Sequence, residues 1–108
     1  MAEYLTQSRP YAEAIFEIAE QDNSVDSWIK DLALISTSFQ DNLIQALIDT
    51  PDISQREKAE KFVSIFEGEV SAKTINFLKT LGQANRLKIL DNIILNFLEL
   101  VAKKRNQK

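Results

Sequence analysis

Apolar residues along this chain recur at intervals of three and four, without the alternation of a half-buried strand, and that spacing predicts helices throughout. At about 100° per residue, Tyr4, Tyr11, Ala12, Ala14, Ile15, Phe16, Ile18 and Ala19 share one broad arc of a first helix. Arg9, Glu13, Glu17 and Glu20 take the narrow remainder. So wide an apolar arc has two explanations: a central helix covered by neighbours on both flanks, or a helix that packs inward along one edge and meets a partner along the other. Pro10 leaves the start of this helix open. Either it begins around Thr6 to Ser8, with the ring in or just past the tolerant first turn, or it begins near Ala2 and bends at the ring.

Gln21-Asp22-Asn23-Ser24 reads as a turn ending in a cap, and Val25, Trp28, Ile29, Leu32, Ile35 and Phe39 then form the stripe of a second helix. Asp41-Asn42 caps a short third helix carrying Leu43, Ile44, Leu47 and Ile48, which must stop near Thr50 because Pro51 disfavours a helical residue before it. Ser54-Gln55-Arg56-Glu57 has the form of a capping box ahead of Ala59, Phe62, Val63 and Phe66, and Gly68 supplies the stop. Ser71 precedes a fifth helix through Ile75, Leu78 and Leu81. Asn85-Arg86 marks a break before a sixth, expected to be the longest, striped by Leu87, Leu90, Ile94, Phe97, Leu98 and Val101. With no hairpin signal and short connections, the expected fold is all-α: a single-domain, six-helix antiparallel bundle.

The fifth helix repeats the breadth of the first. Ile75, Leu78, Leu81 and Gly82 point one way, while Phe77, Thr80 and Ala84 extend the arc sideways between Asn76 and Gln83. Gly82 costs a helix roughly 1 kcal/mol relative to Ala, so a close helix approach is a reason for its presence. If the first and fifth helices are neighbours, their sideways faces form an apolar groove with polar edges, a shape that accepts an amphipathic helix.

Composition narrows the chemistry. The chain has 108 residues, enough for one core, and contains neither cysteine nor histidine. Disulfides and thiolate metal sites are thereby excluded and an intracellular setting is favoured; the usual nucleophile, the usual base near neutral pH and the usual zinc ligands are missing together. No apolar run reaches the roughly 20 residues of a membrane span, and the first residues lack the pattern of a secretory signal, which predicts a soluble, unexported protein without membrane insertion. The net charge of -3 hides an asymmetry: residues 1–53 hold 2 basic and 10 acidic groups, residues 54–108 hold 11 and 6.

Lys103, Lys104, Arg105 and Lys108 are the one dense basic run. After a helix they read as complements to its negative end, and a net acidic chain is a poor general ligand for nucleic acid. Glu13, Glu17 and Glu20 share a face and read as solvated; a carboxylate-dependent enzyme built on them has no complementary group to work with. Gly68 and Gly82 belong to no phosphate-binding motif, so no cofactor and no metal is expected. Trp28 fits the core stripe of the second helix, although tryptophan also anchors interfaces.

Arg9-Pro10-Tyr11-Ala12-x-Ala14-x-Phe16 near the N-terminus, with Asn76-Phe77-Leu78 and then Asn85-Arg86-Leu87 before a long last helix, resembles the N-terminal domain of the delta subunit of bacterial rotary ATP synthases, the counterpart of the mitochondrial oligomycin-sensitivity-conferring protein. The similarity runs over essentially the whole chain. It implies a six-helix domain over residues 1–104, with residues 105–108 as the start of a linker, and a second family domain, which contacts the b subunits, absent here. It further implies a non-catalytic stator subunit on the cytoplasmic side of the inner membrane. There the N-terminal helix of an alpha subunit lies in a groove between the first and fifth helices, touching Tyr11, Ala14, Ile18, Asn76, Phe77, Thr80 and Gln83. Arg86 is expected to hold the turn before the last helix. A helical RNA-binding regulatory domain using the basic C-terminal half is the competing expectation.

Overall fold

The computed structural model describes residues 2–51 and 53–106, with side chains from Thr6 onward, so the side chain of Tyr4 and Lys108 of the basic run lie outside it. Among these residues six α-helices follow one another: α1 (Ala2–Gln21), α2 (Val25–Ser38), α3 (Asn42–Asp49), α4 (Gln55–Phe66), α5 (Ala72–Gln83) and α6 (Leu90–Arg105), with a 3₁₀ turn at Leu87–Ile89 leading into α6.

Local chemistry accounts for most boundaries. The carboxylate of Asp41 accepts from the Leu43 amide at 2.8 Å, the Ser54 hydroxyl from Glu57 at 3.1 Å, and the Ser71 hydroxyl from Thr74 at 3.4 Å, each relieving an orphan donor of the helix that follows. Asn23 (φ 54°) and Asn85 (φ 59°) are left-handed stops after α1 and α5. The next amide in each case reaches back to a carbonyl five residues earlier, Ser24 to Ala19 at 2.8 Å and Arg86 to Leu81 at 2.9 Å. Ser24 departs from its expected role: it occupies the cap position of α2, but its backbone (φ −118°, ψ 20°) is not in the extended geometry of the caps at Asp41, Ser54 and Ser71, and its buried hydroxyl makes no capping bond.

Helix α1 begins at Ala2 and carries Pro10 in its interior, with the ring exposed to solvent. Its 20 residues make it longer than α6, at 16, which corrects the expectation that the last helix is the longest. Helix α6 continues through Arg105 with Asn106 as its cap; Gln107 and Lys108 lie outside the described residues.

Two pairs, α1 with α6 and α4 with α5, pack most extensively, and α2 bridges them. The interior holds Leu32, Ile35, Phe62, Leu78, Leu81, Leu90, Ile93, Ile94 and Phe97, all fully buried. From α1, Ala12, Ile15 and Ala19 face this core, and Phe16 meets Phe97 edge to face at 6.2 Å. Gly82 is buried directly against Ala59 of α4, the close approach its poor helix propensity foretells.

Side-chain links give the directions. Gln7 accepts from Arg86 (3.1 Å) near the start of α1, and Asp22 pairs with Lys73 just past its end, so α1 and α5 run antiparallel. Asn96 donates to Ser8 (2.6 Å), and Arg105 pairs with Asp26 just beyond α1, so α1 and α6 run in the same direction. The turn at Asn85–Arg86 makes this possible by returning the chain to the N-terminal end of α1.

Candidate functional site

The edges of α1 and α5 are lined at matching helical intervals. Tyr11, Ala14, Ile15 and Ile18 form one wall of an open groove of about 480 Å³; Lys73, Asn76, Phe77 and Thr80 form the other. Both sets follow i, i+3, i+4, i+7, which places each along a single edge of its helix. Trp28 of α2 supplies the floor. Its indole is only 5% exposed and meets the Phe77 ring edge to face at 6.1 Å and 77°. Above it, Ile18 stays 46% exposed, a large aliphatic side chain left partly in water. The Thr80 hydroxyl donates to the Asn76 carbonyl of its own helix at 2.9 Å, so the polar end of that side chain is already satisfied by backbone.

Six of the seven residues singled out from the sequence, Tyr11, Ala14, Ile18, Asn76, Phe77 and Thr80, are therefore brought together on one groove. Gln83 is not. Seven residues beyond Asn76, it lags that residue by about 20° around the helix, on the α4 side. It lines a separate, charged depression of about 390 Å³ with Arg56, Glu60, Glu67 and Lys79, floored by Ala59 and Val63.

Three lining residues escaped the sequence list. Ile15 lay within the apolar arc of α1 but reads as core; Trp28 sits on the core stripe of α2; Lys73 precedes Asn76 and Phe77 by three and four residues, the one spacing signal that marks it.

The walls are held in place by polar links outside the apolar surface. Asp31 of α2, itself buried, accepts from the Ser71 amide (3.0 Å) and the Thr74 hydroxyl (2.8 Å), capping α5 from a neighbouring helix. Trp28 lies one turn before Asp31, and Phe77 one turn after Thr74, so this link sets how floor and wall meet. Gln7–Arg86 joins α1 to the chain just past the end of α5, and at the other end of the groove Asp22 and Lys73 form a largely exposed pair. Arg86 thus holds the turn before the last helix, tying it to α1.

The remaining candidates are placed elsewhere. Glu13, Glu17 and Glu20 are exposed, and among the described residues no group of three or more histidine, cysteine, aspartate or glutamate side chains is arranged to hold a metal ion. Lys103 and Lys104 are exposed in the last turn of α6, where Arg105 engages Asp26 at 2.5 Å. Among the described residues no helix is long and apolar enough to cross a membrane.

The family model described as ATP synthase delta (OSCP) subunit matches residues 8–108. The chain is similar to the ATP synthase subunit delta of Marinobacter nauticus, 37% identical over 86% of this chain and 52% of the relative. The Acinetobacter baylyi protein of the same name is 34% identical over 98% of this chain and 60% of its own length. That of Nitrosospira multiformis is 36% identical over 86% and 52% respectively. The chain thus spans about half to three-fifths of the length of the curated relatives it matches. A match over nearly all of its helices, to relatives of one description, identifies the chain as a member of the ATP synthase delta (OSCP) subunit family.

Proposed function

We propose that this chain acts as a non-catalytic stator element of a proton-transporting ATP synthase, receiving the N-terminal helix of an alpha subunit in the groove between α1 and α5. The observation that carries the reading is the groove itself: two helix edges of matching period, apolar from Ile18 to Phe77, with an indole beneath and, among the described residues, no segment laid across it. Its chemistry suits an amphipathic helix. Ala14 permits close backbone approach, Ile18 and Phe77 present apolar area, Tyr11 can stack with its hydroxyl in water, and Asn76 offers a register-fixing amide at the rim.

In this reading the chain sits on the cytoplasmic side of the membrane as a peripheral component, and the b subunits are reached through the additional length that the relatives possess. The RNA-binding alternative draws nothing from the family match, and the basic end of α6 is accounted for by Asp26 and by the negative pole of its own helix.

Calorimetric titration with a peptide of the cognate alpha-subunit N-terminus tests the proposal. One-to-one binding is expected, with Ala14→Asp abolishing it while the thermal unfolding of the domain is unchanged, since Ala14 is exposed. A folded domain that ignores the peptide would overturn the reading.

A further inference from the structure

Among the described residues lining the groove, Lys73 is the one charged side chain, and its position is unfavourable for the helix that carries it. It stands two residues after the Ser71 cap, in the first turn of α5, where the helix dipole disfavours a cation. A residue that works against its own local structure points to a use elsewhere. Its present partner, the Asp22 carboxylate, lies just beyond α1; the two side chains remain 56% and 40% exposed, so the pair stands largely in water at one end of the groove.

A helix laid along the groove displaces that water. An ammonium has three donors, and Asp22 accepts from it through a single oxygen. Covering the others with hydrocarbon is costly, whereas a carboxylate from the incoming helix satisfies them.

We propose that Lys73 determines the specificity of the groove, selecting an amphipathic helix that carries a carboxylate beside its apolar stripe, at the end lying over the α1–α5 link. On binding, the ammonium is shared between Asp22 and that carboxylate or passes to it entirely. This rests on the helix-receiving role proposed above and adds the partner's charge and its axial register.

The test is a double-mutant cycle on the 108-residue chain with the alpha N-terminal peptide as probe. Each Asp or Glu of the peptide is changed in turn to its amide and titrated against wild type, Lys73→Met and Asp22→Asn. One acidic position is expected to lose about three- to tenfold in affinity against wild type and nothing against Lys73→Met. Lys73→Met should weaken the unmodified peptide by the same factor and flatten the salt dependence, and Asp22→Asn, which frees the ammonium, should tighten binding. Coupling at no acidic position overturns the proposal while leaving the groove reading intact, provided Ala14→Asp still abolishes binding. If Asp22→Asn weakens binding as much as Lys73→Met does, the pair is a clamp between helices and the specificity role is refuted. If wild type binds no peptide at all, both proposals fall together.

Discussion

Gly82 and Ala59 are in mutual contact where α5 crosses α4: a methyl group built on Gly82 would stand 2.2 Å from the Ala59 Cβ and 3.1 Å from its Cα. Because one of those atoms is backbone, no rotamer change relieves the overlap, and the two helices must move apart. Gly82→Ala gains about 1 kcal/mol of helix propensity and loses more to overpacking, for a net destabilisation of about 1–2 kcal/mol in urea unfolding. Adding Ala59→Gly to that variant should recover part of the loss, a favourable coupling that independent sites would not show.

Asp31 offers a second check on how the helices are joined. Asp31→Ala leaves the Ser71 amide and the Thr74 hydroxyl without their acceptor, at a cost of about 2–3 kcal/mol by chemical denaturation. Asp31→Asn keeps one carbonyl oxygen and should cost less. Peptide affinity should fall with Asp31→Ala although the residue lies outside the groove, since Trp28 and Phe77 are each one turn from the link.

Trp28 is the sole tryptophan and reports on the groove from below. Removing its edge-to-face neighbour by Phe77→Ala should lower stability by about 1–3 kcal/mol, increase acrylamide quenching and shift the emission to the red. A helix seated above should do the reverse, reducing quenching in proportion to occupancy.

The two depressions flanking α5 are separable by substitution. Ile18→Asp should reduce peptide affinity more than tenfold while changing stability by less than about 0.5 kcal/mol, because the side chain is already in water. Gln83→Ala should leave affinity unchanged, since Gln83 opens onto the α4–α5 depression. A comparable loss from both would place the bound helix across the crest of α5.

What the sequence revealed and what it hid divide along physical lines. Caps at Asp41, Ser54 and Ser71 were legible because each is decided within four residues, and Gly82 because a glycine inside a helical stripe needs a reason. Ser24 misled because two neighbouring helices meet at the same residue, and only the fold shows that its backbone lacks the extended geometry from which a hydroxyl caps. The groove edges were readable as apolar arcs wider than packing needs, yet Trp28 could not be separated from core, since a floor residue is buried in the same way. Gln83 shows the limit of periodicity: a lag of about 20° is negligible on a helical wheel and decisive at a crest between two surfaces. The shared direction of α1 and α6 was hidden entirely, for no local pattern encodes which non-consecutive helices meet.

That pairing also sets an order of assembly. Ser8 and Asn96, joined across α1 and α6, are 88 positions apart in the chain, and the inward face of α1 is covered chiefly by α6. During translation the part of the α1 apolar arc that faces α6 stays uncovered until α6 has emerged. The groove therefore acquires its first wall late, so a nascent chain has no finished receptor to offer, and recognition is confined to domains that have completed folding.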